Sequence, residues 1–446
     1  MSILEKALKM LQKYPLCDHC LGRQFALLGY EMGNDERGKA IKQVLAFDAE
    51  ALAIEKGAEG FKILKVLAAN GFFDMAKTVL EKTKKRTPIN TVPASCYLCG
   101  DSFKNSAKLA QTAIHELEQY EYTSFLVGID LPMAMEERED EFKAEFEVVH
   151  SESLRNEFGR TIGKIIASRT RKIVDFKKPE IVVLANPVTE EIRLQVNPLY
   201  VAGHYKKLVR GIPQSKWFCS HCRGKGCEKC NWTGKMYCES VEEFIEKPFI
   251  EATGGVKGSF HASGREDIDA RMLGKGRPFV IEITQPRKRF LNLKEMEEAV
   301  NTYAKGKVQI SKLQFANREI VRKLKKGESA QKEYRVLVEF EKAVTAKQLN
   351  MLGKHLSNTM VQQQTPNRVL HRRADLTREK YIYDVKVKKL SSKTVEMRVR
   401  CQGGLYVKEL VTGDEGRTTP NVSEVLKNRA KPLKLDVLNI IMKAKG

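Results

Sequence analysis

The chain has 446 residues, 42% of them hydrophobic and 30% charged, with a formal net charge of +22. That length exceeds one ordinary core and predicts two or three domains. No apolar run approaches the ~20 residues that cross a bilayer, which excludes a membrane-spanning role, and the cationic excess favours a polyanionic partner because neutralised phosphates release condensed counterions.

Residues 1–100 read as helical. Ile3, Leu4, Ala7, Leu8 and Leu11 recur at helical spacing, and similar patterns run through 37–52, 60–69 and 74–83. The start, 1–14, is amphipathic and lacks the apolar block and cleavage site of a secretory signal, so a cytoplasmic protein is expected. The basic stretch 82–86, closed by Pro88, reads as a linker. Two cysteine pairs bracket this block, Cys17 with Cys20 and Cys96 with Cys99. In a reducing compartment such pairing marks thiolate metal ligands rather than disulfides. Four thiolates make the closed tetrahedral site of structural Zn2+, here a staple across a long interval.

From Ser102 the pattern turns mixed. A helix is predicted over 106–120, a buried strand over 124–129 and an amphipathic helix over 152–168, then strands over 180–184 and 191–196. The tract 200–209 is basic and carries two tyrosines. Residues 216–240 hold a tighter group, Cys219, Cys222, Cys227 and Cys230. Four residues between its pairs is short for a zinc ribbon, but Gly224 and Gly226 ease the turn, so a second structural Zn2+ is expected. His221 is a stand-in ligand at most, and the two lone cysteines, Cys238 and Cys401, are expected in core. Residues 241–446 alternate helices and strands, with strands over 279–283, 334–340, 381–387 and 394–401 and a helix over 346–357.

Three segments resemble a THUMP domain, an RNA-binding module of tRNA-modifying enzymes. They are Pro179-Glu180-Ile181-Val182-Val183, the strand 191–196, and the closing His204-Tyr205-Lys206-Lys207-Leu208-Val209-Arg210-Gly211. The resemblance implies that 101–215 form an RNA-binding region.

The segment Gly264-Arg265-Glu266-Asp267-Ile268-Asp269-Ala270-Arg271 packs three carboxylates against two arginines. A carboxylate nucleophile or base needs a neighbouring cation to stay ionised. A surface loop with mutually satisfied charges is the plain alternative. Gly-Arg-x-Asp resembles the active-site loop of pseudouridine synthases. Lys332-Glu333-Tyr334 resembles the Lys-x-Tyr segment of those enzymes, and Gly404-Leu405-Tyr406-Val407-Lys408 their Gly-x-Tyr-Ile-(Arg/Lys) segment. Leu435, in Leu433-Lys434-Leu435-Asp436-Val437, matches their last apolar pocket residue. With the longer stretches 264–279, 365–373 and 413–418, the chain is similar to the tenth pseudouridine synthase family, found in archaea and eukaryotes.

That resemblance implies an α+β protein. A catalytic domain, 241–446, would carry a mixed, largely antiparallel sheet with flanking helices, behind an N-terminal zinc- and THUMP-containing α/β accessory domain. It implies that uridine becomes pseudouridine at positions 54 and 55 of the tRNA TΨC arm. It assigns Asp267, Tyr334 and Lys408 to catalysis and Val407 and Leu435 to the apolar walls. Arg265 would replace the flipped-out nucleotide or hold phosphate. The cluster Arg368-Val369-Leu370-His371-Arg372-Arg373 fits a phosphate grip, through Arg368, Arg372 and Arg373. Asp269, two residues on, would anchor the loop or Arg271. The isomerisation transfers no electrons and no group, so no organic or nucleotide cofactor is expected, and the partner is tRNA, met by a monomer that touches no membrane.

Two other functions compete. A non-catalytic zinc-containing tRNA-binding protein would explain the charge and the thiols, but not the trio Asp267, Tyr334 and Lys408. A THUMP-linked methyltransferase or thiolation enzyme needs a cofactor turn, and neither Gly-x-Gly-x-Gly after a predicted strand nor a Walker-type loop is present.

Overall fold

Local signals set the first helix. Ser2 caps Ile3–Lys13 through a reciprocal pair, its Oγ accepting from the Glu5 amide while Glu5 Oε2 accepts from the Ser2 amide at 2.7 Å. Ala7, Met10 and Leu11 then share the buried face. The computed structural model describes residues 1–83, 95–326 and 331–441; most of the linker read at 82–86 lies outside the described residues. Contacts divide the chain into two units, Met1–Asn197 and Pro198–Gly446.

In the first unit, helices Asn34–Lys56, Ala58–Ala69 and Asp74–Lys82 follow the predicted spacing. Beyond them lies a four-stranded sheet of β1 (Ser124–Ile129), β2 (Ile173–Val174), β3 (Ile181–Asn186) and β4 (Glu191–Val196), in the order β2-β1-β3-β4. Helices Ser106–Leu117 and Leu154–Thr170 pack on it. In β3, Ile181, Val183 and Ala185 alternate inward, the period of a strand with one face on the core.

The second unit is built on a ten-stranded sheet. Its strands are β5 (Leu199–Lys207), β6 (Lys257–Ala262), β7 (Ala270–Thr284), β8 (Val308–Phe315), β9 (Gln331–Phe340), β10 (Thr359–Gln363), β11 (Arg378–Lys389), β12 (Thr394–Gln402), β13 (Thr418–Thr419) and β14 (Ala430–Ile441). The order is β13-β10-β11-β12-β9-β14-β7-β5-β8, with β6 against β7, and the β7–β14 pair alone is parallel. Helices Val241–Thr253, Leu293–Tyr303 and Ala346–Leu356 flank it. This is the α+β arrangement expected of the catalytic region.

One boundary differs. The tract 200–209, read with the RNA-binding region up to 215, forms β5 and pairs with β7 and β8. Leu199, Val201 and Tyr205 are buried in the second unit's core, and that burial decides where the strand belongs. No helix among the described residues is long and apolar enough to cross a membrane.

Asp436 ties the middle of this sheet together. Its carboxylate accepts from Arg271 on β7 at 2.9 Å, Arg335 on β9 at 2.8 Å and Arg210 at 2.5 Å. Burial would raise this carboxyl, but the bonds from Arg271 and Arg335 and the charge of Arg210 hold it at about 2, against an ordinary 3.8. Its stabilisation is therefore complete above pH ~4 and lost as pH falls through ~2. Asp436→Asn leaves three guanidiniums without their anion and should cost about 3 kcal/mol near pH 7. Urea melts of wild type and variant across pH should show that gap closing below pH ~4.

Candidate active site

The 264–269 loop is pinned from beneath. Gly264 starts it at φ 76°, where a Cβ would lie 3.2 Å from Arg277 Nη1 and 3.4 Å from Lys332 Nζ. Glu266 then turns inward and is buried with Arg277, whose Nε donates to Oε2 at 2.9 Å. Tyr205 donates its hydroxyl proton to the same carboxylate at 2.9 Å, and Gln214 donates to the Gly264 carbonyl at 2.9 Å. Lys207, fully buried, donates to the carbonyls of Ile212, Asp267 and Ile268 at 2.9–3.2 Å. Burial lowers this ammonium to about 8, and the Glu266 charge opposes the drop.

With Glu266 facing in, Asp267 faces out. Its Oδ2 lies 3.3 Å from Lys408 Nζ and 3.3 Å from Arg368 Nη1. Lys408 comes from the start of the short helix Val407–Thr412, and Arg368 from the 3-10 turn Asn367–Arg372. Each cation is shared. Lys408 reaches Asp269 at 2.7 Å, and Arg368 Nε reaches the buried Glu409 at 2.6 Å. Asp269 thus anchors Lys408, while Arg271, its expected partner, goes to Asp436. Burial would raise the Asp269 carboxyl, but the Lys408 hydrogen bond and charge bring it below the usual range. Arg368, read as a phosphate contact, is engaged by two carboxylates.

Beside Asp267 opens a cavity of about 230 Å³, below the roughly 300–1,000 Å³ of clefts that enclose drug-sized ligands. Tyr334, Val407, Leu435 and Val437 supply its apolar wall, and Arg277 and Lys332 its polar side. Register explains the grouping: Tyr334 on β9 pairs with Val437 on β14, and Leu435 pairs with both Val336 and Ala270. Burial pushes the Tyr334 hydroxyl well above its usual range, so the ring stays a neutral phenol. Lys332, two residues before Tyr334 and on the same strand face, is lowered to about 8 by burial and by the charge of Arg277.

The structure brings Asp267, Tyr334, Lys408, Val407, Leu435, Arg265, Arg368 and Arg373 to one cavity. Arg373 donates to the Tyr406 hydroxyl at 2.8 Å, and the side chain of Arg372 lies outside the described residues. Sequence reasoning misses Glu266, Arg277, Lys207 and Lys332, because a buried charge and a surface charge are spelled alike. A larger hollow of about 440 Å³, by helix Val241–Thr253, mixes lysines with glutamates, among them the Lys235–Glu243 pair, and holds no comparable cluster.

Two cysteine tetrads can hold metal ions. In each, Cys17, Cys20, Cys96 and Cys99 or Cys219, Cys222, Cys227 and Cys230, the sulfurs lie within 4.8 Å of one another. A tetrahedron with bonds of about 2.3 Å has edges of about 3.8 Å. Sulfur–sulfur separations match it: 3.7 Å for Cys17–Cys99, 3.9 Å for Cys219–Cys227 and 3.8 Å for Cys222–Cys230. Amides of Gly226 and Gly234 donate to Cys222 and Cys230 Sγ, as thiolate ligands require. At the first tetrad the buried guanidinium of Arg23 pairs with Glu139 through Nη1, while its Nε and Nη2 have no partner among the described residues and leave donors beside Cys20. His221 is outside the second tetrad and exposed. Cys401 is buried as expected, but Cys238 is exposed.

Comparison with known proteins places this geometry. The family model described as Pus10, C-terminal matches residues 200–441, and the Pus10 THUMP domain, archaeal, matches 109–186. A protein of Methanocaldococcus jannaschii, tRNA pseudouridine synthase Pus10, is 45% identical over 97% of this chain and 93% of its own length. The chain belongs to the Pus10 family. Proteins of the same name from Methanothrix thermoacetophila and Pyrococcus furiosus are 38% and 37% identical, over 98% and 100% of this chain and 94% and 99% of theirs. A Pus10-family chain is an enzyme of the pseudouridine synthase class, and the match over 109–186 stops short of β5, in keeping with that strand's place in the second unit.

The buried pair beneath the loop yields a prediction. Glu266→Gln leaves Arg277 charged and uncompensated, at a cost of about 3–5 kcal/mol. A urea melt should show a lower midpoint with an unchanged slope, and Glu266→Asp should recover part of the loss.

Proposed function

We propose that this chain converts uridine to pseudouridine at positions 54 and 55, in the TΨC arm of tRNA, with Asp267 as the catalytic carboxylate. The carrying observation is that Asp267 meets two cations, Lys408 and Arg368, at 3.3 Å each on the rim of a cavity walled by Tyr334 and Leu435. The choice of arm follows from the family resemblance of the motifs.

The reaction breaks the N1–C1′ bond, rotates uracil and forms C5–C1′. The C5 proton is lost and N1 regains one, so atoms balance without a cofactor. Asp267 starts the cleavage, by adding to C1′ or by removing the C2′ proton; both routes need an ionised carboxylate, and Lys408 and Arg368 stand 3.3 Å from its Oδ2. Tyr334 supports the base as a neutral ring, and Val407 and Leu435 keep the freed uracil from escaping. Flipping the nucleotide out costs a few kcal/mol. Arg265, exposed above the loop, takes its vacated place or a phosphate, and Arg373, which lines the cavity, grips the backbone nearby.

Both tetrads hold structural Zn2+, which supplies cross-links and no chemistry, since four thiolates leave no open coordination position. Such thiolates suit a reducing cytoplasm.

Asp267→Asn removes the anion and keeps the shape. Incubated with an unmodified tRNA transcript, wild type should form pseudouridine in the TΨC arm without added cofactor, as mapped by carbodiimide primer extension. The variant should bind tRNA within about threefold of wild type and form none; an active variant would reject Asp267. Elemental analysis of the purified chain should return two zinc ions per chain, and Cys17→Ser should lower both that number and the melting temperature.

A further inference from the structure

The cysteine knuckle presents a surface that the tetrad itself does not need. Phe218 and Trp232 stand 60% and 73% exposed on it. Both are held by rigid backbone. Phe218 bridges Lys235 and lies so close over Gly224 that a Cβ there would come within 2.9 Å of its ring. Trp232 sits in the left-handed region at φ 59°, two residues after Cys230, and its amide donates to the Cys227 carbonyl at 2.9 Å. Arg223, Lys225 and Lys229 are exposed in the same segment, in which Glu228 is the one acidic residue between 218 and 235.

This surface leads toward the catalytic loop. Trp217, next to Phe218, has the Arg265 guanidinium 5.7 Å from its ring centroid. Both line a second hollow, about 190 Å³, on which Asp267, Asp269, Arg368 and Lys408 also open.

Exposed rings with interleaved cations fit one ligand chemistry. Unpaired nucleotides offer flat base faces to stack and phosphates to neutralise. Duplex RNA hides its base faces, so a helical stem fits less well. We propose that the knuckle is a stacking platform for unpaired nucleotides of the RNA substrate, Phe218 and Trp232 taking bases and Arg223, Lys225 and Lys229 the intervening phosphates. The inference rests on the tRNA reading above and adds a second point of contact beyond the flipped uridine.

The chain has two tryptophans, so full-length Trp217→Phe carries Trp232 as its only indole. Its emission should be quenched on titration with single-stranded oligouridylate and with tRNA, and less by duplex RNA of equal length. Phe218→Ala with Trp232→Ala should weaken tRNA binding about 5- to 150-fold, the range of one stacked base. Zinc content is measured alongside; should that pair lose zinc, the triple reversal of Arg223, Lys225 and Lys229 to Glu, which leaves the rings in place, should weaken tRNA binding and flatten its salt dependence. Unchanged Trp232 emission with tRNA bound by anisotropy, or wild-type affinity in the variants, would overturn the proposal. Normal quenching by an enzyme that forms no pseudouridine would instead count against the catalytic reading and leave the platform standing.

Discussion

The ion pair between Glu266 and Arg277 is the constraint on which the site is built. Neither group reaches water, so each depends on the other and on Tyr205 and the Ser263 carbonyl for its hydrogen bonds. Taking two charges from water is expensive and is recovered only when the geometry is good and the remaining lone pairs are met. That requirement fixes the direction of Glu266, and backbone geometry then sends Asp267 the opposite way. Lys207 adds to the restraint by gathering three carbonyls. Asp267, the proposed catalytic carboxylate, thus inherits its position from the buried neighbour beneath it.

Above the loop, charge is shared and not simply matched. Two cations face Asp267, and each is also held by a second carboxylate, Asp269 or Glu409. Asp267 therefore faces two cations at 3.3 Å, neither of which is dedicated to it alone. The anchoring carboxylates also hold Lys408 and Arg368 in place beside Asp267.

Much of this is legible in the sequence, for reasons particular to each segment. Asp267, Tyr334, Lys408 and Leu435 each sit in a short stretch with its own signature, and the cysteine pairs announce their tetrads by spacing. Strands such as Thr394–Gln402 betray themselves by alternation. What stays hidden is long-range. Nothing local shows that Glu266 faces Arg277 while Asp269 faces Lys408, since register decides which charge goes under the loop. The tract around Tyr205 reads as the close of an RNA-binding module because 204–211 resemble the end of a THUMP domain. Its placement in the second sheet depends on Leu199, Val201 and Tyr205 finding Ile283, Ile281 and Arg277 on β7, 84, 80 and 72 residues on.

The arrangement of β14 has a consequence for biogenesis. It is the last strand in sequence among those described, yet it lies between β9 and β7 and alone links the β8-β5-β7 side of the sheet to the other. A ribosome emits chains from the N-terminus, and units fold as they emerge. The two halves of this catalytic unit must therefore wait, edges open, until residues 430–441 leave the exit tunnel, and Leu435 arrives with the same strand. No nascent fragment short of that point has a closed cavity beside Asp267, because Leu435 and Val437 line it from β14.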